Sequence, residues 1–258
     1  MWTCLSQLSR MRIAVPLASL VLVVFPFISA KAQDHSMSVH ETHMGMTAAA
    51  DGALDPARQA KLLADKRESE FNHHLAGFFV VLAGLFILAE TNLPERGPWV
   101  RFAWPVCFVL SGIFVLVWSD TELWPFGPQS WYFGLTHHPE VLQHKIFAVL
   151  LLVLGTLEFR RARGLVRSAW TGWVFPVLAI VGSSMLFFHE HRAGMHGPSQ
   201  MELMGRIQSE HFRFAIAGFG IALSKGLAET RFAWRPFFER LFPALLLVLG
   251  SLLLVYAE

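Results

Sequence analysis

Six apolar stretches dominate the chain beyond residue 70, at approximately Leu75–Ala89, Phe102–Trp118, Ile146–Leu157, Trp170–Phe188, Phe212–Leu223 and Leu241–Tyr256. Crossing the hydrocarbon core takes roughly 17–25 mostly apolar residues, so the flanks must extend the shorter ones. Barrel strands alternate polar and apolar residues, and these runs do not, so the stretches read as helices. Only 16% of residues are charged, against about a quarter in soluble domains. The lipid bilayer is therefore the expected partner. A net charge of +2 gives no reason to expect nucleic acid.

The first 32 residues read as a signal peptide. Arg10 and Arg12 form its positive end, Ile13–Ser29 its apolar stretch, and Ala30-Lys31-Ala32 a small-x-small cleavage site. An uncleaved anchor is the alternative, and either leaves the next segment outside the cytoplasm. Residues 33–50 have few bulky apolar side chains and read as a disordered, His/Met-rich outward segment. Residues 51–72 read as an amphipathic pre-membrane helix on the outer surface, with a solvated linker as the alternative. Residues 73–258 form the membrane domain. Inward loops then hold Arg96 and Arg101, Arg160, Arg161, Arg163 and Arg167, and Lys225, Arg231, Arg235 and Arg240. Outward loops hold fewer basic residues, the asymmetry expected of cytoplasmic loops. Both ends of the mature chain then face outward.

The expected fold is an all-α membrane protein of six transmembrane helices, built as three tandem helical hairpins. His74, His144 and His211 each open an odd-numbered span, and 31 or 32 residues later comes Pro105, Pro176 or Pro243. An aromatic precedes each proline: Trp104, Phe175 and Phe242. Fifteen residues beyond each proline stand Asp120, His191 and Glu258. The inner ends of the odd spans carry Glu90, Glu158 and Glu229, two of them within an identical Leu-Ala-Glu-Thr. Repeats with an even number of spans keep one orientation, so equivalent residues share a depth.

In this topology all twelve histidines lie on the outer side. Imidazole suits copper, zinc, iron and nickel, while thioether sulfur favours Cu(I). Histidine with methionine therefore points to copper. The flexible candidate is His35, His40, His43 and Met44 in the outward tail. The ordered candidate is a ring of His74, His144 and His211, supported by Asp120, His191 and Glu258. Glu70 and Glu140, each four residues before a ring histidine, would orient the imidazoles. His189, Met195 and His196 with His191 form a dense loop cluster. Interfacial histidines amid an aromatic belt are the plainer account of any single one. Histidines at matching depth also suit haem b, giving a membrane electron-transfer protein; a scaffold with incidental histidines is a third reading. No phosphate loop, zinc-type cysteine pair or dinucleotide fingerprint appears, and no catalytic residue is assigned.

Phe187-Phe188-His189-Glu190-His191, the spans opening on His74, His144 and His211, and the His/Met-rich outer segments resemble the CopD/PcoD type of bacterial copper-resistance membrane protein. Members of that family generally have about eight spans rather than six. The resemblance implies copper handling at the bacterial inner membrane, for resistance, uptake or delivery. The outer histidines and methionines would be the ligands, and periplasmic copper-carrier proteins the partners.

Overall fold

The computed structural model describes residues 56–92, 99–188, 198–231 and 233–257. The expected signal peptide and His/Met-rich tail fall outside them. The helices are α1 (Pro56–Asn92), α2 (Val100–Trp118), α3 (Trp131–His137), α4 (Pro139–Ala162), α5 (Val174–Met185), α6 (Pro198–Ala228) and α7 (Arg235–Leu254), with 3-10 turns at Ala169–Trp173 and Leu186–Phe188 flanking α5. Four of the apolar stretches fall within single helices, Trp170–Phe188 runs over α5 and its two flanking 3-10 turns, and Leu241–Tyr256 extends two residues past α7. Among the described residues there is no strand, only an isolated bridge between Leu123 and Gln129. Four helices are long and apolar enough to cross the hydrocarbon core: Gln59–Asn92 within α1, then α2, α4 and α7. The apolar helix over Ala169–Met185 is shorter. The protein therefore belongs in a lipid bilayer.

The sequence suggests an amphipathic helix over 51–72 lying on the outer surface and leading into the first span. A helix does start at Pro56, but it runs unbroken to Asn92. Its 37 residues rise about 1.5 Å each, roughly 55 Å, nearly twice a hydrocarbon core of about 30 Å. Nothing interrupts it, because residues 57–92 contain no proline and the glycines at 77 and 84 face neighbouring helices. The polar half is clasped from the side: the Thr121 amide and hydroxyl donate to Glu68, and Asn72 Nδ2 donates to the Ser119 carbonyl at 3.0 Å.

The long helices pack in cyclic order. α1 lies against α2, α2 against α4, α5 against α6, α6 against α7, and α7 returns to α1, while the α4–α5 contact is slight. The centre is filled by Trp104, Phe108, Leu154, Phe175, Ile221, Phe242 and Leu246. Trp104, Phe175 and Phe242, the residues that precede the three prolines, meet there. Phe175 lies 6.5 Å from Trp104 and 5.3 Å, edge-on, from Phe242 between ring centroids. Such aromatic pairs contribute about 0.5–1.5 kcal/mol each beyond area burial.

Between lipid-immersed helices there is little hydrophobic drive, so close backbone approach must supply van der Waals contact. Small residues permit it here. The position seven residues after each proline is small: Gly112, Ser183 or Gly250. A Cβ on Gly112 would meet the Ala148 carbonyl, and one on Gly250 the Gly77 carbonyl; a Cβ on Gly218 would strike Ser183. The prolines themselves lie against the next helix: Pro105 O faces Gly155, Pro243 O faces Gly84, and the Pro176 ring lies against Gly226. Pro105 and Pro243 are interior to α2 and α7 rather than at their first turns. Residue i−4 of each therefore loses its helical donor, and the buried proline is retained as a packing surface.

At the opposite end from the histidines, Arg161 bonds Glu158 at 2.8 Å and Glu229 at 3.0 Å, and Lys225 bonds Glu229 at 2.8 Å. A Cβ on Gly172 would collide with the Glu229 carboxylate, so the 3-10 turn before α5 sits flush on this cluster.

Gly155 tests the packing. A Cβ there would stand 2.7 Å from Pro105 O and 2.8 Å from the Val109 amide, both backbone atoms. Gly155→Val is expected to cost about 2 kcal/mol or more through overpacking. Gly205→Ala on α6, with nothing within 4 Å of the added carbon, should instead gain up to about 1 kcal/mol in helix propensity. Thermal unfolding of the solubilised protein reads both.

Candidate functional site

The histidine end of the bundle holds two clusters. The first is built by α1, α6 and the residues after α7. His73 and His211 approach to 6.0 Å between ring centroids, nearly perpendicular. The Tyr256 ring stacks on His73 at 4.0 Å and stands 6.3 Å from His211. Phe214 lies 6.2 Å from His73 and 5.8 Å from His211. Tyr256 and His211 are buried. His74 points to the same place from the adjoining position and bonds the Tyr256 carbonyl through Nε2 at 2.9 Å.

Hydrogen bonding sets the tautomers. His73 Nδ1 lies 2.8 Å from the Ser69 carbonyl and His211 Nδ1 lies 2.9 Å from the Ile207 carbonyl, each one helical turn back. A carbonyl only accepts, so Nδ1 carries the proton on both rings, and Nε2 is the lone-pair nitrogen of the neutral imidazole. Metal-ligating histidines have the same arrangement: the second nitrogen donates to a carbonyl or carboxylate, which fixes the ring and raises its basicity. His74 has the opposite assignment, with its Nε2–H committed to Tyr256.

The second cluster joins the end of α2 to the start of α4. Asp120 accepts from His144 Nδ1 at 2.9 Å, from Lys145 Nζ at 2.7 Å and from the Ser119 hydroxyl. Lys145 also bonds the Val115 carbonyl and faces the Trp131 ring at 5.3 Å. Burial alone would raise the Asp120 carboxyl, but these donors hold it below the ordinary carboxylate range. Asp120 and Lys145 are both buried, whereas the His144 side chain is a third exposed.

The expected ring thus divides: His74 and His211 share the Tyr256 cluster, while His144 belongs to Asp120. Glu140 lies 3.9 Å from His138, and Glu70 lies 3.5 Å from Lys66. His35, His40, His43, Met44, His189, His191, Met195, His196 and Glu258 lie outside the described residues. Among the described residues no group of three or more His, Cys, Asp or Glu side chains is placed to hold a metal ion. Comparison with protein-family models, curated proteins and solved structures finds no match.

Two residues of the first cluster escape the spacing argument. His73 was passed over for His74, yet the buried face of α1 points to it: Val80 and Ile87 are buried core residues at seven-residue intervals from His73. No sequence signal places Tyr256 beside His74, because 182 residues separate them.

Asp120→Asn leaves the Lys145 ammonium buried without its counter-charge, which typically costs about 3 kcal/mol or more. The pH dependence has a definite sign. A carboxyl whose folded pKa is depressed contributes stability above its unfolded value, near 4, and loses it as pH falls through the lower folded value. Wild-type protein should lose this contribution below about pH 4, whereas Asp120→Asn should show no such loss from this site. Thermal melts across pH 3 to 7 would show the difference.

Proposed function

We propose that this chain is a copper-binding protein of the bacterial inner membrane, taking the ion on the extracytoplasmic side for resistance, uptake or delivery. In this reading a signal peptide precedes six spans, with α5 and α6 crossing alongside the four longer apolar helices. Three tandem hairpins then repeat one plan. The convergence of Trp104, Phe175 and Phe242 supports that repetition, as do the small residues seven positions after each proline.

The observation that carries the metal reading is the His73–His211 pair. Imidazole nitrogen binds such ions at about 2.0–2.1 Å, which puts a ring centroid about 3.2 Å from the metal. Two imidazoles on one ion therefore have centroids within about 6.4 Å of each other, and the observed 6.0 Å meets this. Both rings already carry the second hydrogen bond that a ligating histidine uses. His73 and His211 would hold the ion, and His74 and Tyr256 would keep the pair in place. Further ligands would come from His/Met-rich residues 33–50 and 189–204, soft donors that favour Cu(I). Periplasmic copper carriers are the partners this chemistry implies. Binding and delivery fit better than a permeation path, because Glu90, Glu158 and Glu229 stand at the inner ends of the apolar stretches and the middles of those stretches carry no Asp, Glu, His, Lys or Arg.

Metal analysis with an optical spectrum tests the reading. Copper bound without a Soret band is expected, and His73→Ala with His211→Ala should remove about one ion per chain. His144→Ala should leave that ion in place. A Soret band would favour haem b and electron transfer instead, and the absence of both would leave a scaffold.

A further inference from the structure

We propose that the connection from Thr121 to His137 is seated in the lipid–water interface, with Trp124, Phe126 and Tyr132 in contact with lipid. This rests on the membrane assignment of the apolar helices alone and is independent of the metal.

The length of α2 sets the depth. Its 19 residues span roughly 28 Å, about the thickness of the hydrocarbon core. Trp118 at its end therefore reaches the interface. A connection that rose into water would carry its aromatics away from that level. This one turns back. Phe126 packs on Trp118 at 5.7 Å, and Trp118 in turn stacks above Phe114 at 6.5 Å. Trp118 is itself exposed at the end of α2, so the connection lies back against an aromatic at interface depth. Beyond them Trp124 is 68% and Tyr132 78% exposed, and Phe133 is also exposed. Trp and Tyr concentrate at membrane interfaces because their rings are apolar while their N–H or O–H stays hydrated.

The backbone permits this placement. Near lipid every amide needs an internal partner. Around the turn Leu123 donates to Asp120, Trp124 to Gln129, Phe126 and Gly127 both to Leu123, and Gln129 to Glu122. The two remaining tip positions, Pro125 and Pro128, have no N–H to satisfy. The Trp131 indole N–H bonds the Trp124 carbonyl at 2.7 Å. Gly127 makes the tight turn possible, since a Cβ there would collide with the Glu122 backbone. Asp120 turns to His144 and Lys145, Thr121 to Glu68, and Gln129 to His138. Glu122 and His137 are exposed along with the aromatics, which an interfacial seat allows because one side of it stays hydrated. Charge agrees, because Lys145 is covered by Trp131 rather than presented to solvent.

The test is nitroxide accessibility in phosphatidylcholine vesicles. Labels would be placed at Phe126→Cys, at Tyr132→Cys and, on the polar half of α1, at Leu63→Cys, with Cys4 and Cys107 replaced by alanine. The ratio of collisions with dissolved oxygen to collisions with a water-soluble nickel chelate should be about fivefold higher at 126 and 132 than at 63, as for an interfacial aromatic anchor. A ratio at either position matching that at 63 would place the connection in water and overturn the proposal. Low collision rates with both reagents would mean a protein partner covers the surface, and would overturn it equally. Copper content of the labelled protein is a separate readout, so failure here leaves the metal reading untouched.

Discussion

Backbone contact between neighbouring helices is the constraint on which the rest of this structure depends. In lipid, apolar side chains gain little by leaving their surroundings, so a bundle holds together where its helices come closest. Gly77 against Gly250, Gly84 against Pro243 and Gly155 against Pro105 bring main chains within reach of each other. The α1–α7 and α2–α4 interfaces follow one register. The α5–α6 interface uses Ser183 with Gly218, and Pro176 with Gly226, about one turn later on the odd helix. Pro105 and Pro243, which would weaken an isolated helix, are kept at these contacts with Pro176 in the first turn of α5, and the aromatic before each fills the centre.

That packing positions the histidines. With α7 held on α1, the residues after Leu254 meet the middle of α1, where Tyr256 stacks on His73 and accepts from His74. With α6 against α7, His211 comes edge-on to the same ring at 6.3 Å. His144 has a different fate because α4 packs on α2, whose end supplies Asp120. Helix adjacency therefore sorts similarly spaced histidines into unlike surroundings.

The helical class and the positions of the apolar segments were legible because apolar runs without alternation permit little else in lipid. The proline spacing also led to three aromatics that do meet. What could not be read was register across the bundle. His74 was favoured over His73 by its spacing, yet a single residue is a 100° turn of the helix, and His73 rather than His74 pairs with His211. The helix that begins at Pro56 runs on into the first span without a break, for a local reason. Polar and apolar stretches on either side of Asn72 differ in solvent, not in helix propensity, so the helix continues through the change.

The two ends of the bundle handle charge in opposite ways. At the arginine end Glu158, Arg161, Lys225 and Glu229 neutralise one another through bonds of 3.0 Å or less, so that end has no pressing use for an ion. At the histidine end the imidazoles of the first cluster donate to main-chain carbonyls. A neutral imidazole that donates from Nδ1 keeps its lone pair on Nε2. The asymmetry follows from which residues carry fixed charge and which carry a proton that hydrogen bonding can assign.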